Sequence, residues 1–299
     1  MSTIKNILAV MPDAESGRAT LQTAVRLARQ LHSNVDALHV KTDPATTLPL
    51  VGEAMSGVMV DEMMLVAERE SLQRAEQTQA EFNAIISRES VVEVSGPVSR
   101  TGSSSDGSVT AAWLEDNGVE EQVVALRGCR ADLIVVARPT TDNETSALIT
   151  LNAALMQSGR PVVAAPPIAD ENQKVSAPIR KVAVFWNGSA EATRTVAASL
   201  PFLKSATEVA VLRVEEEEWY ASVEDLEAFL GWHEVKTVIS KVLPREVRTG
   251  RSLLYAARDS DADMMVMGAY TRSKLRQLML GSVTGYVMEH AILPVLMCH

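Results

Sequence analysis

The chain has 299 residues, with 28 Lys and Arg against 38 Asp and Glu, which gives a formal net charge of −10. This acidic balance excludes nucleic acid as a main partner and disfavours anionic membrane surfaces, because both need clustered Lys and Arg. Hydrophobic residues make up 46% and charged residues 22%, an ordinary globular composition that excludes bulk disorder. The length predicts about two domains.

The two cysteines, Cys129 and Cys298, form neither a secreted disulfide framework nor a metal-like spacing. The N-terminus lacks the long apolar region of a signal peptide, and no apolar stretch reaches the ~20 residues that span a bilayer. These features predict a soluble, cytoplasmic protein. We interpret Cys298 as a buried cysteine at the end of a strand rather than as an activated thiol.

An internal repeat organises the chain. The apolar run Ile4–Met11 is echoed by Ile179–Trp186, and each run is followed by turn residues and an Ala-rich segment. Continuous apolar runs without alternation are typical of strands in a parallel sheet that is covered on both faces. The segments 17–32 and 190–204 carry apolar residues at helical spacing. Each half therefore begins as strand, turn and helix.

Further segments correspond in the two halves and are predicted to be strands. They are 35–40 and 209–214, 131–136 and 262–267, and 160–164 and 293–297. Alternating strands and helices predict an α/β fold with two tandem doubly wound parallel-sheet sandwiches and right-handed crossovers. We place the first domain at 1–167, a linker rich in Pro, Asp, Glu, Asn and Gln at 168–178, and the second domain at 179–299.

Two segments interrupt the symmetry of the repeat. Val58 to Glu89 is long, charged and rich in helix-favouring residues, which predicts a helix on the outside of the sheet. Ser95 to Ser108 is dominated by Gly, Ser, Thr and Pro, a composition that predicts a mobile loop. A strand that contains Ala111 to Leu114 is expected to follow this loop.

Ligands of doubly wound sheets bind beyond the carboxyl ends of the strands, where the strand order reverses. In the second half this rule indicates Asn187, Gly188 and Ser189, together with the stretch that follows Met267. Gly268 ends the predicted strand and allows a turn without a Cβ atom.

The stretch after Gly268 adds positive charge and a helix start. Arg272 contributes a cation, and Gly281 and Ser282 open a predicted helix. The free N–H groups and the dipole of such a helix favour an anion such as phosphate.

The strand that ends in Met267-Gly268, the interval to Gly281-Ser282, the following helix and the terminal strand 293–296 resemble the universal stress protein family. The repeat makes the chain similar to the tandem-domain members. ATP-binding members carry Gly, two residues, Gly, nine residues, then Gly and Ser or Thr. Thr271 stands where the middle glycine of that pattern belongs, and a β-branched residue adopts positive φ poorly.

The resemblance implies a site for ATP or another adenine nucleotide, with Mg²⁺ as its companion ion, in the second domain. The implied binding residues are Asn187, Gly188, Ser189, Val214, Met267, Gly268, Thr271, Arg272, Gly281, Ser282, Val283 and Thr284. Two features count against binding. Asn187 replaces the Asp that ATP-binding members tend to have, and the acidic run Glu215–Glu218 follows the second strand at the same end of the sheet. A loop that only packs the sheet stays an open alternative.

The first half is predicted to lack a nucleotide site. It has no glycine from Arg130 to Ser158, and Leu148 and Ile149 fall where the second half has Gly281 and Ser282. The resemblance implies that this half acts as a built-in dimer partner. The last strands, 161–165 and 294–298, would then pair about a pseudo-twofold axis, and two chains would associate further as a homodimer.

Conventional enzyme motifs are missing from the sequence. No dinucleotide fingerprint or P-loop occurs, and the five histidines lack the spacing of a zinc protease. The resemblance implies a regulatory or protective stress-response role, exerted through a nucleotide or an unidentified protein partner. Three alternatives stay open: a ligand-free interaction module, a slow ATP-hydrolysing or adenylyl-transfer enzyme of the same superfamily, and a protein that binds another small molecule between the halves.

Overall fold

The computed structural model describes residues 4–42, 57–95, 109–140, 144–167, 177–214, 222–236, 238–244, 249–269 and 282–299. The first half contains β1 (Asn6–Val10), α1 (Ala14–Leu31), β2 (Asn34–Lys41), α2 (Gly57–Arg88), β3 (Val92–Glu93), β4 (Thr110–Asn117), α3 (Glu120–Gly128), β5 (Leu133–Ala137), α4 (Glu144–Gln157) and β6 (Val162–Ala165). The second half contains β7 (Lys181–Phe185), α5 (Ala190–Ser205), β8 (Glu208–Val214), α6 (Val223–Trp232), β9 (Val238–Leu243), α7 (Thr249–Asp259), β10 (Met264–Gly268), α8 (Ser282–His290) and β11 (Val295–Cys298).

The strands of these ranges form one eleven-stranded sheet in the order β3-β4-β2-β1-β5-β6-β11-β10-β7-β8-β9. Within each half the neighbouring strands are parallel, and the order reverses between β1 and β5 and again between β7 and β10. The predicted tandem doubly wound fold is therefore confirmed. No helix in the described ranges is long and apolar enough to cross a membrane.

The two halves meet through their last strands. β6 and β11 pair antiparallel with Val163 opposite Leu296, and the side chains of both strands are buried. The predicted intrachain pseudo-dimer is confirmed by this pairing. The helices on one face add a second contact, since the Gln30 amide donates to the hydroxyl of Ser205 (2.7 Å) and accepts the N–H of Ile179 (2.8 Å).

One aspartate in each half fixes the start of the first strand of that half. The Asp132 carboxylate accepts the backbone N–H groups of Lys5 (2.7 Å) and Asn6 (3.0 Å). Asp263 accepts the N–H groups of Arg180 (2.8 Å) and Lys181 (2.9 Å) in the same way. These two aspartates, which occupy corresponding positions in the repeat, thus join the central strands of each half at their amino ends.

The helix predicted for 58–89 is α2, and its second half covers the sheet. Phe82 and Ile85 are fully buried, and Glu81 pairs with Arg18 of α1 (2.8 Å). Helix α1 begins three residues earlier than the expected Gly17, because the Asp13 side chain accepts the N–H of Ser16 (2.8 Å) and caps the helix. The expected loop at 95–108 lies, apart from its first residue, outside the described residues, as does 168–176 of the linker.

Cys298 is buried at the end of β11, as the sequence predicts, whereas Cys129 is exposed. The Thr195 hydroxyl accepts the backbone N–H of Cys298 (3.0 Å), and burial raises the pKa of the thiol to about 11. We expect a disulfide reagent at pH 8 to modify Cys129 quickly and Cys298 about a hundredfold more slowly, because the thiolate is the reacting form. Absorbance kinetics on wild type and Cys129→Ser measure this, and a fast phase that survives in Cys129→Ser would contradict it.

Candidate functional site

The reversal of strand order in the second half brings two strand ends together. β7 and β10 are neighbours, with Met267 opposite Phe185, yet the chain leaves β7 towards β8 and leaves β10 towards β11, on the opposite side. The connections therefore diverge from the carboxyl ends of these two strands, and doubly wound sheets have their ligand crevice at such a point. Most of the described candidate residues lie along this edge.

The turn after β7 is fixed by its own side chains. The Asn187 amide oxygen accepts the N–H of Ser189 (3.2 Å), and Gly188 between them has φ 68°, a conformation that favours glycine. The Ser189 hydroxyl then accepts the N–H of Ala192 (3.2 Å) and caps α5. Asn187 is exposed while Ser189 is buried, so the turn presents the Asn187 side chain at the crevice.

Position 268 needs a glycine because of close packing, whereas a turn was the reason expected from the sequence. A Cβ atom on Gly268 would lie 2.7 Å from the backbone nitrogen of Ala192 and 2.9 Å from the Cβ atom of Glu191. The end of β10 thus touches the first turn of α5. This contact brings the turn after β7 and the end of β10 into one site.

Glu191 is a site residue that the sequence did not reveal. Its side chain is 19% exposed and pairs with Arg194 (3.1 Å), whose guanidinium also donates to the backbone carbonyl of His299 (2.8 Å). A carboxylate in the first turn stabilises a helix through its dipole. The acidic residue is visible in the sequence, but only the crossing of α5 over β10 places it beside Gly268.

The remaining candidates are distributed around the same edge. Val214 and Met267 are buried at the carboxyl ends of β8 and β10. Helix α8 begins at Ser282, as expected, and Thr284 is buried in its first turn while Val283 is partly buried. Thr271, Arg272 and Gly281 lie outside the described residues, as does the acidic run 215–218.

The sequence profile of the universal stress protein family matches residues 179–299. This second half is a universal stress protein domain. A universal stress protein from Archaeoglobus fulgidus has 16% identity and a TM-score of 0.64, over 98% of this chain and 95% of that chain. A Pseudomonas aeruginosa protein assigned to the same family has 15% identity and a TM-score of 0.53, over 98% of this chain and 92% of that chain. At these identities the likeness shows that the whole chain, including the first half, has the tandem fold. No curated protein matches the chain.

The first half differs from the universal stress protein domain at the equivalent edge. Helix α4 begins at Glu144, so Leu148 and Ile149 lie inside a helix rather than at its first N–H groups. The crevice there is a cavity of about 20 Å³ that touches Asp13 and Glu120. Burial raises the pKa of the Glu120 carboxyl, which accepts a hydrogen bond from Thr150. A space for about one water molecule beside two acids does not suit a nucleotide phosphate.

The described residues do not form a metal site. Among the residues that the structure describes, no group of three or more His, Cys, Asp or Glu side chains is placed to hold an ion. Glu191, the acid that lies beside Gly268 at this edge, is paired with Arg194.

Proposed function

We propose that the universal stress protein domain binds an adenine nucleotide at the carboxyl ends of β7 and β10. The observation that carries this proposal is that α5 and α8 follow the carboxyl ends of β7 and β10, the two strands between which the strand order reverses. The first N–H groups of a helix lack intrahelical partners and favour anions. Membership in the family supports a stress-response role, which we propose is regulatory or protective and exerted in the cytoplasm.

The described residues are compatible with such a ligand. The exposed Asn187 amide offers hydrogen bonds to a ribose or a base, and the neighbouring strand ends at Val214 and Met267 are apolar. Arg194 neutralises Glu191, which reduces the repulsion that this carboxylate exerts on a phosphate. A nucleotide would bring its own Mg²⁺, held by phosphate oxygens.

The first half serves, in this proposal, as a permanent partner. Its last strand completes the sheet of the second half through the β6–β11 pair, which a single domain would otherwise leave as an open edge. Its own crevice is nearly filled. We therefore expect one nucleotide per chain.

The test uses the full chain. Mass spectrometry of the ligand released on denaturation comes first, followed by calorimetric titration of ATP with Mg²⁺. Asn187→Leu removes the exposed amide at nearly constant size, and we expect it to weaken binding about tenfold. Asn187→Asp keeps the acceptor for the Ser189 N–H and introduces the residue of the ATP-binding relatives, so we expect tighter binding.

Asp13→Asn is the matched control in the first half. It keeps an N-cap side chain on α1, and binding should stay unchanged. No bound nucleotide and no heat at millimolar ATP would refute the proposal and favour a ligand-free interaction module. Release of ADP, AMP or pyrophosphate that falls in Asn187→Leu would instead favour the slow enzyme of the same superfamily.

A further inference from the structure

A second cavity lies on the outside of the universal stress protein domain, between α7 and α8. Its volume is about 510 Å³, within the ~300–1,000 Å³ range typical of small-molecule sites. Ala262 and Leu293, each two residues before the start of β10 and β11, line it together with Met265. The cavity therefore opens at the amino ends of the strands, on the opposite edge from the proposed nucleotide site.

The shape of this cavity follows from the way the two helices cross. A Cβ atom on Gly250, in the first turn of α7, would lie 3.0 Å from the Cβ atom of Tyr286 and 3.2 Å from the carbonyl oxygen of Val283. The helices are thus in near contact there and separate towards their carboxyl ends. The Tyr286 ring forms part of the wall and stacks on the His290 ring, with 4.1 Å between the ring centroids. The interior of the cavity is mostly apolar.

The charged groups at the rim are mainly cationic. Arg251 and Arg258 line the cavity with one acid, Asp261, which pairs with Lys181 (3.2 Å). The Arg258 guanidinium is exposed, and among the described residues it has no hydrogen-bond or ion-pair partner. Arg258 thus places an exposed positive charge at the rim of the cavity, on a chain whose net charge is −10.

We propose that this cavity binds an amphipathic organic anion, with the apolar body between α7 and α8 and the anionic group at Arg258. The apolar floor of Ala262 and Met265 suits a hydrocarbon or ring system, and the cationic rim selects a carboxylate or sulfonate. A carboxylate or sulfonate gains an ion pair with the exposed Arg258 that a neutral apolar molecule lacks. The site is separate from the nucleotide crevice and does not depend on it.

The test is fluorescence titration of the full chain with 8-anilinonaphthalene-1-sulfonate, followed by displacement with decanoate and with decanol. We expect decanoate to displace the probe at about tenfold lower concentration than decanol. Arg258→Gln should remove that preference, and Leu293→Trp, which fills the cavity from a half-buried position, should abolish probe binding. Arg130→Gln, an exposed arginine of the first half, is the matched control and should leave both competitors unchanged.

Circular dichroism of each variant establishes that the fold is retained. Asn187→Leu should leave the probe affinity unchanged, whatever its effect on ATP, because it alters the opposite edge. Equal displacement by decanoate and decanol, or a probe affinity that Arg258→Gln and Leu293→Trp do not change, would overturn the proposal. A dimer that Ile292→Asp disrupts, in a protein that binds no probe, would also overturn the proposal. The cavity would then be an interface between two copies of the chain.

Discussion

Replacing Gly268 with Ala is expected to lower the free energy of unfolding by about 1–3 kcal/mol, the usual cost of overpacking. The added Cβ atom would lie 2.7 Å from the Ala192 backbone nitrogen, and a backbone atom cannot rotate away as a flexible side chain can. Helix α5 must therefore shift off the end of β10. Urea denaturation of the full chain measures the loss, and ATP titration of the same variant should show weaker binding, because the first turn of α5 makes this contact and borders the proposed site.

Gly231→Ala is the matched control for that substitution. Among the described residues, no atom lies within 4 Å of a Cβ atom built on Gly231, which is part of α6. Alanine should stabilise the helix there by about 0.5–1 kcal/mol, because glycine loses more conformational freedom on folding. A Gly268→Ala protein as stable as wild type would contradict the close contact between β10 and α5.

The parts of the fold that could be predicted from the sequence are those with a local signal. Buried parallel strands are continuous apolar runs, so 4–11 and 179–186 located β1 and β7 to within a few residues. The pairing of β6 with β11 followed from the family resemblance and from the apolar character of both strands. The reversal of strand order then fixed the edge at which the candidate residues lie.

The parts that could not be predicted depend on how helices cross the sheet and each other. The sequence gives no sign that Gly268 touches Ala192, because that contact depends on the height of α5 above β10. Likewise, Gly250 and Tyr286 are 36 positions apart, and only the angle between α7 and α8 opens the cavity beyond them. Gln30 binding to the N–H of Ile179 is a contact between halves that no local pattern marks.

Asp263→Ala is expected to lower the free energy of unfolding by about 2 kcal/mol. The Asp263 carboxylate accepts two backbone N–H groups at the start of β7, and hydrogen bonds to charged groups contribute more to stability than those between neutral groups. Asp263→Asn keeps one acceptor oxygen and should cost about half as much. Asp261→Asn is the control, since Asp261 is 84% exposed in its single ion pair with Lys181 and should change stability by less than about 0.5 kcal/mol. Urea denaturation again provides the measurement.

Asp132→Ala should reproduce most of that loss in the first half, because Asp132 accepts the corresponding two backbone N–H groups, whereas Asp263 also lies 3.9 Å from Arg26. Three strand spacings, roughly 14 Å, separate β5 from β10, the strands that Asp132 and Asp263 precede, so the two losses should add in the double variant. Both faces of the sheet carry cores that include residues of both halves, so each variant should still unfold in a single transition. Two separate transitions in Asp263→Ala would show instead that the β6–β11 pair does not couple the halves and that each folds as its own unit.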